Sequence, residues 1–163
     1  MQKRAVSLTA ILTALPYFCT PIIAGQALAK EVKKSGALVK VVSTGGRCTY
    51  GGCYGEVSIN AAGAYTWTEG TGDHWHVKGE GQLPHKDIAQ LIAQIKKTNF
   101  LSIKSVGFKG TCPSAYDGQA LTFTFQTDKG QEVIPECQYA VDDRQPLFSQ
   151  IKRLLRDIYA KPK

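Results

Sequence analysis

The chain has 163 residues, a formal net charge of +7, 43% hydrophobic and 20% charged residues, and five cysteines. This composition excludes an intrinsically disordered chain, and the 16 glycines and seven prolines follow no period, which excludes collagen-like and simple repeat architectures. The length fits one domain.

The first 29 residues have the layout of a secretory signal peptide. Lys3 and Arg4 form a positive n-region, Ala5 to Phe18 a mostly apolar stretch, and Ala27-Leu28-Ala29 places small residues where signal peptidase inspects them. Two rivals are a membrane anchor, because Ala5 to Ala29 carries no charge, and lipidation at Cys19. Pro16 and Pro21 interrupt the first, and bulky Tyr17 and Phe18 sit where the second wants small residues. Cleavage after Ala29 is therefore the expectation. It leaves 134 residues without a transmembrane span, a charge of +5, and four cysteines: Cys48, Cys53, Cys112 and Cys137. An even set in an exported, periplasmic or secreted chain reads as two disulfides. Three pairings exist. Cys48–Cys53 with Cys112–Cys137 is favoured, because the first closes a short loop over Gly51-Gly52 and the second ties the start of a hairpin region to its end.

Lys30 to Gly36 is a polar, flexible lead-in, and residues 37–160 are expected to form a single α+β domain. Ala37 to Ser43 is a β-branched run suited to a strand. Tyr54 to Asn60 and Ala64 to Glu69 alternate about an Ala-Ala-Gly turn, the pattern of a β-hairpin, with Tyr65 and Trp67 on one face. Gly70-Thr71-Gly72 breaks the pattern, and Asp73 to Lys78 forms a further short strand with Trp75 and Val77 opposite His74 and His76. From Leu83 to Lys97 the period becomes helical, with Ile88, Leu91, Ile92 and Ile95 in one stripe. Phe100, Leu101 and Ile103 are expected to close the core beyond it. Gly107 to Gly118 is a loop. Gln119 to Thr127 and Gln131 to Cys137 make a second hairpin about Asp128-Lys129-Gly130. A second helix begins near Arg144, capped by Asp142 or Asp143, with Leu147, Ile151, Leu154, Leu155 and Ile158 on its apolar face. The order predicts a single antiparallel sheet with two helices packed on one face.

Cys48-x4-Cys53-Tyr54, the glycine-turned hairpin, "GQLPHKDIAQLIAQIKKTNFLSI", and Asp117 ahead of another hairpin and a closing helix resemble a family of small exported bacterial domains of unknown function. That layout has a close Cys pair before a Tyr-bearing strand, a Leu-x-x-Leu helix ending in an aromatic, and a terminal helix. The resemblance covers residues 38–158. The cysteine spacing here is longer than the family's, and Ala62-Gly63 stands in place of an acidic turn. The layout is also similar to that of emfourin-type bacterial proteinase inhibitors. The resemblance implies an exported α+β domain and carries no catalytic residues.

Candidate chemistry is sparse. Cys48-x4-Cys53 precedes a strand, whereas a redox pair wants a helix N-terminus, and the other two cysteines are too distant in sequence for a close zinc pair. His74 and His76, two apart on a strand, point the same way and could meet one metal, with His85, Asp73 or Glu69 as a third ligand. Their alternative role is an exposed strand face. A hydrolase using His74, His76 and Asp117 is the rival reading; Ser114 has Asp117 near it but no nucleophile elbow, and Ser43 and Ser58 lie in predicted strands. Glu56 and Glu69 show no glycosidase spacing. No phosphate loop, cofactor motif or nucleic-acid motif is present, so no cofactor and no nucleic-acid partner is expected. Lys152, Arg153 and Arg156 on the last helix, with Lys161 and Lys163 beyond and Lys86, Lys96 and Lys97 flanking the other helix, offer weak binding to an anionic surface.

What remains is a binding or inhibitor-like domain. Its candidate contact residues are Arg47, Tyr50, Gly51, Gly52 and Tyr54 in a disulfide-braced loop, with Trp75 and Tyr116 beside it. The expected partner is an extracellular or envelope protein.

Overall fold

A computed structural model describes residues 36–46, 53–71 and 74–161. The segment read as a signal peptide, its cleavage site, Cys48 and the loop residues Arg47, Tyr50, Gly51 and Gly52 lie outside the described residues.

Six strands form one antiparallel sheet: β1 (Ala37–Gly45), β2 (Tyr54–Asn60), β3 (Ala64–Thr71), β4 (His74–Gln82), β5 (Gln119–Thr127) and β6 (Gly130–Pro135). Their spatial order is β4-β3-β2-β1-β5-β6. Among the described residues, helix α1 (His85–Lys97), the short helix α2 (Phe100–Lys104) and α3 (Pro146–Tyr159) complete the regular structure, with one 3-10 turn at Pro113–Tyr116. No helix among the described residues is long and apolar enough to cross a membrane.

Alternation decides which side of the sheet is covered. Val39, Val41, Val57, Ile59, Phe123, Phe125 and Ile134 point to the helix side and are buried there against Leu91, Ile95, Leu147, Phe148, Ile151 and Leu154. Tyr65 is buried in the same layer, with Trp67 packed at its edge. The Phe148 ring meets Phe123 edge-on at 5.2 Å and Phe125 at 6.1 Å. The opposite face of the sheet carries Lys40, Glu56, Thr66, Thr68, Thr122 and Thr124, and a Lys40–Glu56 ion pair of 2.7 Å lies on it.

The β2–β3 hairpin turns as its sequence predicts. Asn60 Oδ1 accepts from the backbone N–H groups of Ala62 and Ala64, each at 3.0 Å, and Gly63 takes φ 88°, a conformation open to glycine. The two long helices are joined by Asp87. Its carboxylate accepts from Arg153 at 2.7 Å, and its backbone carbonyl accepts from Gln150 Nε2 at 2.8 Å.

Several boundaries differ from the sequence expectation. β3 runs through Gly70 to Thr71, and β4 extends to Gln82. α3 starts at Pro146, not near Arg144, and its N-cap Gln145 makes no side-chain cap bond. Asp142 instead accepts from the Arg144 backbone N–H at 3.0 Å, forming a turn before the helix, and Asp143 pairs with Lys152. Leu101 is 79% exposed, whereas Phe100 and Ile103 are buried. In the five-residue α2, positions 100 and 103 share the core-facing side and 101 turns outward.

Candidate functional site

The core ends on the helix side of the sheet in a change from one cross-strand row to the next. In register across β5, β1, β2, β3 and β4, one row reads Phe123, Val41, Val57, Trp67, Gly79. The following row reads Leu121, Ser43, Gly55, Glu69, His76. Helix α3 covers the first row and stops at Tyr159, whose ring lies 4.8 Å from that of Trp67. Beyond this aromatic pair the polar row lies open in a groove of about 680 Å³, lined by Ser43, Gly55, Trp67, Glu69, His76 and Tyr159 among others.

Each wall has a local cause. A side chain at position 55 would place its Cβ 2.7 Å from Ser43 Oγ, so Gly55 leaves the floor open between Ser43 and Glu69. Gly79 lies opposite Trp67 and leaves room for the indole. A β-bulge follows, because Trp67 faces Gly79 while Thr68 faces Val77. Lys78 is the extra residue, and it is re-aimed toward the groove, where its ammonium lies 3.5 Å from Glu69. Ser43 Oγ donates to the Gly55 carbonyl at 3.4 Å. Partial burial, reinforced by the Glu69 charge, pushes the Tyr159 phenol above the ordinary tyrosine range.

His74 and His76 both line this groove, as their spacing on one strand requires, and Glu69 stands directly across from His76. The other ligand candidates are not gathered with them. His85 follows the far end of β4, and Asp73 lies outside the described residues. Among the described residues, no three His, Cys, Asp or Glu side chains form a metal-ligand group. Asp117 sits in a left-handed conformation, φ 61°, closing the 3-10 turn, and is not part of the groove lining. Glu56 and Glu69 project from opposite faces of the sheet.

Of the aromatic candidates, Tyr54 borders the groove, whereas Trp75 and Tyr116 are outside its lining. Tyr54 and Trp75 flank Gly70 in register on the open face, with ring centroids 6.2 Å apart. They are 40% and 46% exposed, and Val77 beside them is also exposed. Tyr116 is exposed on the 3-10 turn, which packs against β1 and β5 near Gly45.

Cys112 and Cys137 form a disulfide with a Cα–Cα distance of 5.2 Å, so the crossed pairings of these two with the first loop do not occur. Cys53 is also disulfide-bonded, and its partner is outside the described residues. Ser114 Oγ lies 3.0 Å from Cys112 Sγ.

Part of the basic surface of α3 is neutralised within the fold. Lys152 pairs with Asp143 and Glu136, Arg153 with Asp87 and Asp157, and the Lys161 ammonium rests over the Tyr65 ring. This leaves less positive charge for an anionic surface than the sequence count implies.

Sequence reasoning did not place Ser43, Gly55 or Tyr159 in a site. The one local signal was the Gly-containing start of β2 beside Tyr54; the rest depends on register across four strands. No family model, no curated protein and no solved structure matches this chain.

Proposed function

We propose that this chain is an exported, disulfide-bonded binding domain of inhibitor-like type, and that it works without catalysis of its own. Its contact surface is the rim where β1, β2, β3, β4 and β5 end together. The observation that carries the reading is the Tyr54–Trp75 pair: two exposed rings, 6.2 Å apart, held on paired strands and not on a mobile loop. Aromatic side chains on a rigid frame give much contact area for little lost freedom, the usual property of binding hot spots. Val77 extends the patch, and Tyr116 stands at the same end of the sheet.

Cys53, next to Tyr54, is disulfide-bonded, and bracing of this kind lowers the ordering cost of binding. Two further points support the reading. The layout resembles small exported bacterial domains and emfourin-type proteinase inhibitors. The residues of the rival hydrolase reading are divided, with His74 and His76 in the groove and Asp117 outside its lining.

The test is affinity capture from the native envelope or culture fluid, with proteases among the candidate partners. Wild-type protein is compared with a Tyr54→Ala/Trp75→Ala variant whose fold is checked by circular dichroism. Capture should fall at least about tenfold in the variant. A partner retained equally by both proteins removes the rim from the function.

A further inference from the structure

The groove of the polar row adjoins the rim, and Tyr54 borders both. Glu69 and His76 face the helix side of the sheet, while Trp75 and Val77 occupy the other face, outside the groove lining. We propose that the groove binds a neutral pyranose saccharide, with the Trp67–Tyr159 pair as its stacking wall and the Ser43–Gly55–Glu69–His76 row as its hydrogen-bonding floor. The proposal rests on the reading of the chain as a binding domain, and it adds a ligand class at a groove next to the rim.

Charge narrows the choice first. The carboxylate of Glu69 is matched by the ammonium of Lys78 at 3.5 Å, and among the described residues they are the one acid and the one lysine that line the groove. A balanced pair selects neither a phosphate nor a polycation, each of which would call for an excess of opposite charge. The remaining polar groups both donate and accept. Ser43 and Tyr159 carry hydroxyls, each neutral imidazole has one donor and one acceptor nitrogen, and the Glu69 carboxylate accepts. Hydroxyl groups on a sugar ring likewise do both.

Shape narrows it further. Trp67 and Tyr159 present aromatic surface at one end of the groove, with Tyr159 46% exposed. An aromatic ring packs against the C–H face of a pyranose while its polar edge reaches neighbouring groups. Gly55 leaves an open floor between the Ser43 hydroxyl and the Glu69 carboxylate, so a ring can approach the sheet there. The volume, about 680 Å³, is that of a small-ligand cleft and far exceeds what a single ion needs. The row stands on four hydrogen-bonded strands, which pre-pays the cost of ordering it.

Saturation-transfer NMR on the full chain tests this with maltotetraose, cellotetraose and tetra-N-acetylchitotetraose at up to roughly 10 mM, the range of weak binding. Saturable transfer to the ring protons of at least one neutral oligosaccharide is expected. Affinity should fall about tenfold in Glu69→Gln or Tyr159→Ala, the scale of one lost charged hydrogen bond or stacking contact. Gly55→Val should block the floor; if that variant does not fold, the exposed Glu69→Gln carries the test. No saturable transfer from any of the three, or transfer undiminished in both Glu69→Gln and Tyr159→Ala, overturns the proposal. Tighter binding of a heparin-derived tetrasaccharide than of all three neutral probes also overturns it, because charge would then be the selecting force. Trp75→Ala alone, outside the groove lining, reads partner capture, and Glu69→Gln and Tyr159→Ala read saccharide binding, so either reading can fail alone.

Discussion

Tyr159 closes the last turn of α3 and also forms the wall where the core gives way to the groove. Partial burial and the nearby Glu69 carboxylate both disfavour its phenolate, so its folded pKa lies above the unfolded value of 10.0. The sign follows from linkage. Between the two pKa values the folded chain binds the proton more tightly than the unfolded one, so this contribution to stability is complete below about pH 10 and is lost as pH rises through the folded pKa. Ultraviolet titration at the tyrosinate band should find one phenol ionising late in wild-type protein. That phenol should disappear in Tyr159→Phe and move down in Glu69→Gln; a late phenol unchanged by both variants would assign the effect elsewhere. At this scale the sequence showed the His74/His76 pair plainly, because spacing of two on a strand is a local property. Glu69, one of the residues it offered beside them, does stand across from His76, but the sequence could not show that Ser43 and Gly55 are neighbours of that pair, since they lie on two other strands.

Among the elements, β3 and β4 are matched by size. Trp67 and Tyr65 of β3 lie opposite Gly79 and Gly81 of β4, and a Cβ at Gly81 would come 2.8 Å from the Tyr65 hydroxyl. On the other face Gly70 of β3 lies between Tyr54 and Trp75. On the helix side the rings of β3 thus lie against the glycines of β4. Helix α3 is fixed chiefly by what it buries. Phe148 is fully buried among Phe123, Phe125 and the helix side of the sheet, so Phe148→Ala should cost about 3–5 kcal/mol of unfolding free energy. Urea denaturation measures this, and a loss below about 1 kcal/mol would mean that the helix does not depend on this contact. The apolar stripes of α1 and α3 were legible in sequence because burial on one helix face imposes a 3.6-residue period. The start of α3 was not, since Asp142 and Asp143 have the chemistry of caps but are used by Arg144 and Lys152.

The described residues form two layers, a single sheet with helices packed on one of its faces. The segment that follows β6 is tied to the segment that precedes β5 by the Cys112–Cys137 disulfide, which spans 25 residues, and by a bridge between Gly107 and Tyr139. Closing a loop of this length stabilises by about 3 kcal/mol on the chain-entropy account. A Cys112→Ala/Cys137→Ala variant should therefore unfold at a markedly lower urea concentration, with the same final slope if the unfolded states are alike. An unchanged midpoint would show that the hydrophobic layer alone sets the stability.

The α+β class, the alternation of the strands, the two amphipathic helices and the even set of cysteines left after the expected cleavage were legible in the chain, because each is written in local period or in a count. The packed fold was needed to show that β4 is an edge strand, that Trp75 and His76 face opposite ways at one end of it, and that α3 stops before the last helix-side rows of the sheet. The reason is physical: strand order, register and the reach of a helix are set by which surfaces bury each other, and that choice is made between segments far apart in the chain. The groove exists because the last apolar row, and not the row after it, is the one that Tyr159 reaches.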